Sequence, residues 1–248
     1  VRMLHYEIDG PVTAPPVVLS GSLGTTLEMW EPQMEALARR FRIIRHDHRG
    51  HGRSPAGGRC SIADLGGDLL ELLDRLELPQ VSFAGLSLGG MVGMWLAAHA
   101  PERIHRLALL CTSAKLNTPE FWAERADAAR TGGTASIADA VAARWFTPGY
   151  AGREPYVAML GGVSAEGYAA CCEAIGAMDL RPDLAAIRAP TLVLAGADDP
   201  ATPPEHGERI AAGIPGARLV VLPGAAHLAS VERPGEVSRE LIGHFLGE

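Results

Sequence analysis

Short apolar runs rich in β-branched residues alternate with stretches whose apolar positions recur every three or four residues. The first kind reads as buried strand and the second as a helix with one buried face. Strands are predicted at 17–19, 42–47 (RIIRHD), 81–86 and 106–111. Helices are predicted at 32–41, 62–78 and 88–100, with Pro32 in a first turn, where its missing N–H costs nothing. Ser61 is the expected N-cap of the second helix, whose buried stripe is Ile62, Leu65, Leu69, Leu72, Leu73 and Leu76. Such alternation implies parallel strands joined by right-handed crossovers, with helices on both faces of the sheet.

From Lys115 to Ala186 the strand signal disappears. Helical patterns at 119–130, 137–145, 155–160 and 165–178 are separated by Gly132-Gly133, Pro148-Gly149 and Gly161-Gly162. Strands then return at 191–195 and 218–222, with helices at 204–212 and 234–246. The organisation expected is an α/β core of 1–114 and 187–248, interrupted by a helical cap or lid over 115–186. An insertion of this kind lies over the carboxyl ends of the strands, where open α/β sheets bind ligands.

Composition narrows the partners. A formal net charge of -7 speaks against a nucleic-acid partner, which requires a basic face. It leaves room for a small anion held by a local Arg, and Lys115 is the only lysine, so nearly every fixed cation is a fork-shaped guanidinium. Cys60, Cys111, Cys171 and Cys172 include no C-x-x-C pair, so neither a disulfide framework nor a zinc site is expected. No apolar run approaches the roughly 20 residues of a membrane span, and Val1 to Tyr6 does not read as a signal peptide. A cytoplasmic protein, monomeric or a small homo-oligomer, without a membrane partner, is the expectation.

The chemistry concentrates in a few loops. Gly85-Leu86-Ser87-Leu88-Gly89-Gly90 follows a strand and opens a helix, which marks Ser87 as a nucleophile on a tight turn. A serine needs a base, and His227, in a loop after the last strand, follows in the order Ser, acid, His. His244 on the final helix is expected to be solvated. The acid lies in Gly196-Ala197-Asp198-Asp199-Pro200, where position alone does not choose between the two aspartates. An oxyanion requires two backbone N–H donors. Leu88 is one candidate, and Ser22 in Ser20-Gly21-Ser22-Leu23-Gly24 the other, with Leu23 its near alternative. His46, His48 and His51 are spaced closely enough for metal ligation, but no matching carboxylate cluster accompanies them, so a bracing loop is expected and no metal or cofactor. In the insertion, Arg144 beside Trp145 and Phe146 reads equally as a packed stem or as a carboxylate-binding hand with an aromatic wall. Trp122 lines the pocket or packs, while Tyr168, Cys171 and Cys172 read as core.

The segments GLSLGG (85–90), HDHRGHGRS (46–54), GADDPATPP (196–204) and GAAHLASVERP (224–234) resemble the α/β-hydrolase fold along essentially the whole chain. That resemblance implies Asp199, three residues after Gly196, as the triad acid. Ser20 to Thr25, Met29-Trp30, Arg144 to Pro148, Gly167-Tyr168 and Cys171 to Ile175 resemble the 3-oxoadipate enol-lactonases, although Gly21 stands where those typically carry Asn. The resemblance implies hydrolysis of a small anionic lactone by Ser87, Asp199 and His227, with Arg144, Trp145, Leu23 and Trp122 around the substrate. Some of these relatives carry a fused carboxymuconolactone decarboxylase; none is expected here. The alternatives are a general carboxylesterase, a carbon–carbon-bond hydrolase of the same fold, and a non-catalytic small-molecule receptor.

Overall fold

The computed structural model describes residues 3–248. Its sheet contains β1 (Tyr6–Asp9), β2 (Pro16–Ser20), β3 (Arg42–His46), β4 (Val81–Leu86), β5 (Ile104–Leu110), β6 (Thr191–Gly196) and β7 (Arg218–Leu222). The spatial order is β1-β3-β2-β4-β5-β6-β7. Only the β1–β3 pair is antiparallel. The central strands β4 and β6 are buried at every residue, as strands covered on both faces must be.

Helices α1 (Glu31–Leu37), α2 (Ile62–Arg75) and α3 (Leu88–His99) precede the insertion. The insertion supplies α4 (Pro119–Gly132), α5 (Ala138–Ala142), α6 (Glu154–Gly161) and α7 (Ala165–Ala177). The chain closes with α8 (Pro204–Gly213), α9 (Ala229–Glu232) and α10 (Pro234–Leu246). Helix α3 lies against β4 and β5 and packs on α2, while α1 packs on α10. Between β2 and β4 the strand order reverses direction, so the carboxyl ends of these two neighbours flank a crevice.

The elements depart from expectation mainly at their ends. The first strand, β1, is missing from the sequence reading. It is a half-exposed edge strand fixed by its pairing with β3 and by Arg45, whose buried guanidinium meets Glu7, Asp9 and Glu31 at 3.2, 3.1 and 2.6 Å. Helix α1 stops at Leu37 rather than Phe41, because turns at Arg40 and Phe41 redirect the chain into β3. Helix α2 begins with a capping box between Ser61 and Asp64 but ends at Arg75, short of Leu78. There Glu77 turns left-handed (φ 54°), and the Leu78 N–H closes the end on the Leu73 carbonyl. Helix α5 is shorter than the predicted 137–145, and i→i+3 bonds to Val141 and Ala142 tighten the turn carrying Arg144 and Trp145.

The insertion meets the core at backbone distance. A Cβ on Gly167, near the start of α7, would lie 2.4 Å from the Gly50 Cα, and the Ser164 N–H donates to the Gly50 carbonyl at 3.1 Å. Gly167→Ala must therefore separate α7 from the 46–54 loop. It is expected to lower unfolding stability by about 1–3 kcal/mol, the usual cost of overpacking. Urea unfolding measures this, and an unchanged midpoint would show that the contact relaxes freely.

Candidate active site

Ser87 sits between β4 and α3 with φ 55° and ψ -112°, a left-handed conformation that costs a non-glycine residue about 1–3 kcal/mol. Its surroundings enforce the turn. The Ser87 N–H donates to the Leu110 carbonyl at 2.9 Å, and its own carbonyl accepts from Thr112 Oγ1 at 2.7 Å. The glycines at 85 and 89 are required by space. A Cβ on Gly85 would lie 2.2 Å from the Gly89 carbonyl oxygen, and one on Gly89 2.2 Å from that of Ser20. The Gly89 N–H also donates to the Gly21 carbonyl at 3.0 Å, so the turn and the loop after β2 are fastened together.

The Gly196–Pro200 loop presents its two aspartates differently. Asp198 is exposed, whereas Asp199 is buried and its Oδ2 accepts from His227 Nδ1 at 2.8 Å. Asp199 Oδ1 accepts from the N–H groups of Ala201 (2.7 Å) and Thr202 (3.0 Å), and Thr202 Oγ1 donates to Oδ2 at 2.7 Å. Burial pushes this carboxyl up, but the His227 imidazole and the bonds from His227 and Thr202 outweigh it and hold it below the usual range. His227 is positioned in turn by its neighbours. The Leu228 N–H donates to the Trp145 carbonyl at 2.9 Å. Glu232 accepts from the Ala226 N–H at 2.6 Å and from the N–H and hydroxyl of Thr147 at 2.8 and 2.7 Å. Glu232 thus ties the histidine loop to the insertion.

Ser87 and His227 line one cavity with Ser22, Leu23, Trp122, Arg144 and Trp145. Leu88 opens α3, so its N–H has no partner within the helix. The Ser22 N–H is turned to the Met29 thioether at 3.3 Å. Arg144 reaches the cavity while its Nη2 donates to the Pro200 carbonyl at 3.1 Å. Trp122 both packs and lines, with Nε1 donating to the Leu116 carbonyl at 2.8 Å.

Arg125 and Asn117, which the sequence reading passed over, line the same cavity. Arg125 could have been found from Trp122, because residues three apart on a helix share a face. Tyr168 is wholly buried, as expected of core, and its hydroxyl accepts from Arg125 Nε at 2.7 Å, so it supports a cavity-lining residue from behind. His244, expected to be solvated, is instead half-buried against Phe245, and burial with nearby Arg106 pushes its pKa down to about 4.

The three histidines of 46–51 lie beneath the loop after β2. His46 Nε2 is 3.0 Å from Ser20 Oγ, and His48 Nε2 donates to the Gly21 carbonyl at 3.0 Å. His51 Nδ1 donates to the Arg49 carbonyl at 2.9 Å while its Nε2 accepts the Gly24 N–H at 3.0 Å, an arrangement open only to the neutral ring.

A serine on a strained strand-to-helix turn, facing the same cavity as a histidine backed by a buried aspartate, is the site of a hydrolase-type α/β protein. The chain belongs to the alpha/beta hydrolase fold family, whose model matches residues 15–149 and 157–234. Among its relatives, 3-oxoadipate enol-lactonase 2 of Acinetobacter baylyi is 41% identical over 93% of this chain and 88% of its own length. 3-oxoadipate enol-lactonase 1 of the same organism is 34% identical, covering 94% and 89%. The crystal structure of the enol-lactonase from Burkholderia xenovorans superposes with a TM-score of 0.95 at 45% identity, covering 99% of this chain and 96% of that one.

The buried histidines make the floor of the site acid-sensitive. Burial lowers His46 and His51 to about 4, and His48 lies well below its ordinary value through burial and its two histidine neighbours. In the unfolded chain each titrates near 6.5. The unfolded state therefore binds more protons below that pH, and stability present above about pH 6.5 is lost as pH falls toward 4. Each ring contributes a slope of about 1.4 kcal/mol per pH unit within that window. Urea unfolding at pH 7.5, 6 and 5 should show the decline, with a shallower slope in His48→Gln. Equal stability at all three values would contradict the neutral assignment.

Proposed function

We propose that the chain is a serine hydrolase that opens the lactone ring of 3-oxoadipate enol-lactone to give 3-oxoadipate, in the degradation of aromatic compounds. The observation that carries this reading is the joint placement of Ser87, the Asp199-backed His227 and guanidinium groups around one cavity whose wall holds no acidic side chain. Residues 115–186 act as its cap, contributing Trp122, Arg125, Arg144 and Trp145 to that wall.

In this mechanism His227 Nε2 takes the Ser87 proton as Oγ attacks the lactone carbonyl. Asp199 keeps the His227 Nδ1 protonated and stabilises the imidazolium. The Leu88 N–H and the loop after β2 hold the oxyanion. Ser22 can serve there by exchanging the Met29 thioether, a weak acceptor, for a charged oxygen, with Leu23 adjacent as the alternative donor. Collapse breaks the ring C–O bond, and the His227 imidazolium gives its proton to the departing enolate oxygen, leaving an enol and a neutral imidazole. The ring had joined the two halves, so the leaving group stays on the acyl chain. His227 then draws a proton from water, which attacks the acyl carbon and frees Ser87. The enol form takes its proton on carbon to become the ketone. No step calls on a metal or organic cofactor.

Among the described residues no helix is long and apolar enough to cross a membrane. The four cysteines are free, which supports placement in a reducing compartment such as the cytoplasm.

The test is a set of progress curves on enzymatically generated 3-oxoadipate enol-lactone, with p-nitrophenyl acetate in parallel. Ser87→Ala should lower kcat by about 10⁶-fold and Asp199→Asn by about 10⁴-fold, as in other serine triads. Rapid, Ser87-dependent cleavage of the neutral ester with the lactone spared would replace this reading by a general esterase.

A further inference from the structure

Two guanidinium groups line the cavity, and their attachments differ. Arg144 is half-buried, and its Nη2 is committed to the carbonyl of Pro200, the residue after Asp199. Arg125 is anchored from behind. Its Nε donates to the Tyr168 hydroxyl, and its guanidinium carbon lies 5.2 Å from the Trp122 ring centroid and 5.6 Å from that of Tyr168. Both rings are buried, and the Trp122 indole is fixed by its own bond to Leu116. Among the described residues no carboxylate pairs with Arg125, and its two Nη groups have no acceptor. By contrast, Arg130 on the same helix is held by Glu166 and Glu173.

Taking the lactonase reading as its basis, we infer that Arg125, held by Tyr168 and Trp122, is the residue that grips the substrate carboxylate and sets selectivity for an anionic lactone. Arg144 is a positioning residue for the acid-bearing loop. With Nε bonded to the Tyr168 hydroxyl and the guanidinium against the Trp122 ring, both Nη groups are free for a two-pronged bond to a carboxylate, and little side-chain freedom remains to be lost. The second cation reinforces the preference. Burial and the neighbouring Arg125 push the Arg144 guanidinium down from its ordinary value against the opposing pull of Asp199, so the two cations repel across the cavity. Among the described residues no acidic side chain lines the cavity between them.

The experiment compares two enol-lactones that differ at one group: the natural substrate, with its carboxymethyl arm, and the neutral analogue bearing methyl in its place. Arg125→Met should reduce the ratio of kcat/KM values, anionic over neutral, by about 30-fold, mainly through KM, as loss of a charge-assisted pair of bonds does. Tyr168→Phe, which keeps the cation but frees it, should reduce the ratio by about threefold to tenfold. Arg144→Gln should lower kcat on both lactones together. Calorimetric titration of Ser87→Ala enzyme with 3-oxoadipate, with and without Arg125→Met, gives a readout independent of turnover, and binding should weaken by a similar factor. Equal losses on both lactones in Arg125→Met with unchanged 3-oxoadipate binding would overturn the assignment, as would a selective loss confined to Arg144→Gln. Wild-type enzyme that opens neither lactone would instead remove the lactonase reading, and the titration would still decide whether Arg125 binds the dicarboxylate.

Discussion

Everything at this site depends on how closely three backbone segments approach one another at the end of β4. Ser87 keeps its left-handed conformation because Gly85, Gly89 and the loop after β2 leave no room for any other path of the chain. Hydrogen bonds from Ser87 to β5, from Thr112 to Ser87 and from Gly89 to Gly21 hold the strained turn from three directions. The same approach brings the start of α3 beside residues 20–24. A candidate nucleophile and two sets of candidate N–H donors are thus brought together by one packing arrangement. The neutral histidines under that loop extend the constraint downward, since His51 can accept the Gly24 N–H only while its ring is uncharged.

The core and the insertion divide the work. Sheet ends carry Ser87, His227 and Asp199 with its four donors. Residues 115–186 contribute much of the cavity wall, and short polar links join them to the loops of His227 and Asp199. Trp145 binds the Leu228 N–H, Glu232 binds Thr147 and Ala226 together, and Arg144 binds the Pro200 carbonyl. These links reach the loops of both His227 and Asp199, so residues 115–186 and the two loops are held as one unit.

Much of this was legible along the chain. The sheet and its flanking helices follow from periodicities of two and of three to four residues, which local sterics impose on buried faces. Six of the seven strands and the strand-free stretch at 115–186 were read this way. Ser87 and His227, which line one cavity, are legible as candidates because a serine in a glycine-flanked turn and a late loop histidine sit at element boundaries that the same periodicities define. Gly85 and Gly89 stand there because the turn admits no Cβ. Strand β1 escaped notice because an edge strand has only one apolar-facing neighbour, and its register comes from β3 and from the ion pairs of Arg45.

The choice of Asp199 over Asp198 illustrates the boundary between the two kinds of information. Adjacent aspartates have the same propensities, and only the family resemblance, through the spacing from Gly196, distinguishes them along the chain. Which of them turns inward is set by Thr202 and His227, the latter 28 residues away. Arg125 and Tyr168 are 43 residues apart, and no motif joins them. Their partnership arises only when α4 packs on α7. Backbone sterics and local periodicity are enough to set most of the elements and their order, and they place the candidate residues at element ends. Which charged group is paired and which faces the cavity follows from packing, because pairing depends on distances that no local pattern encodes.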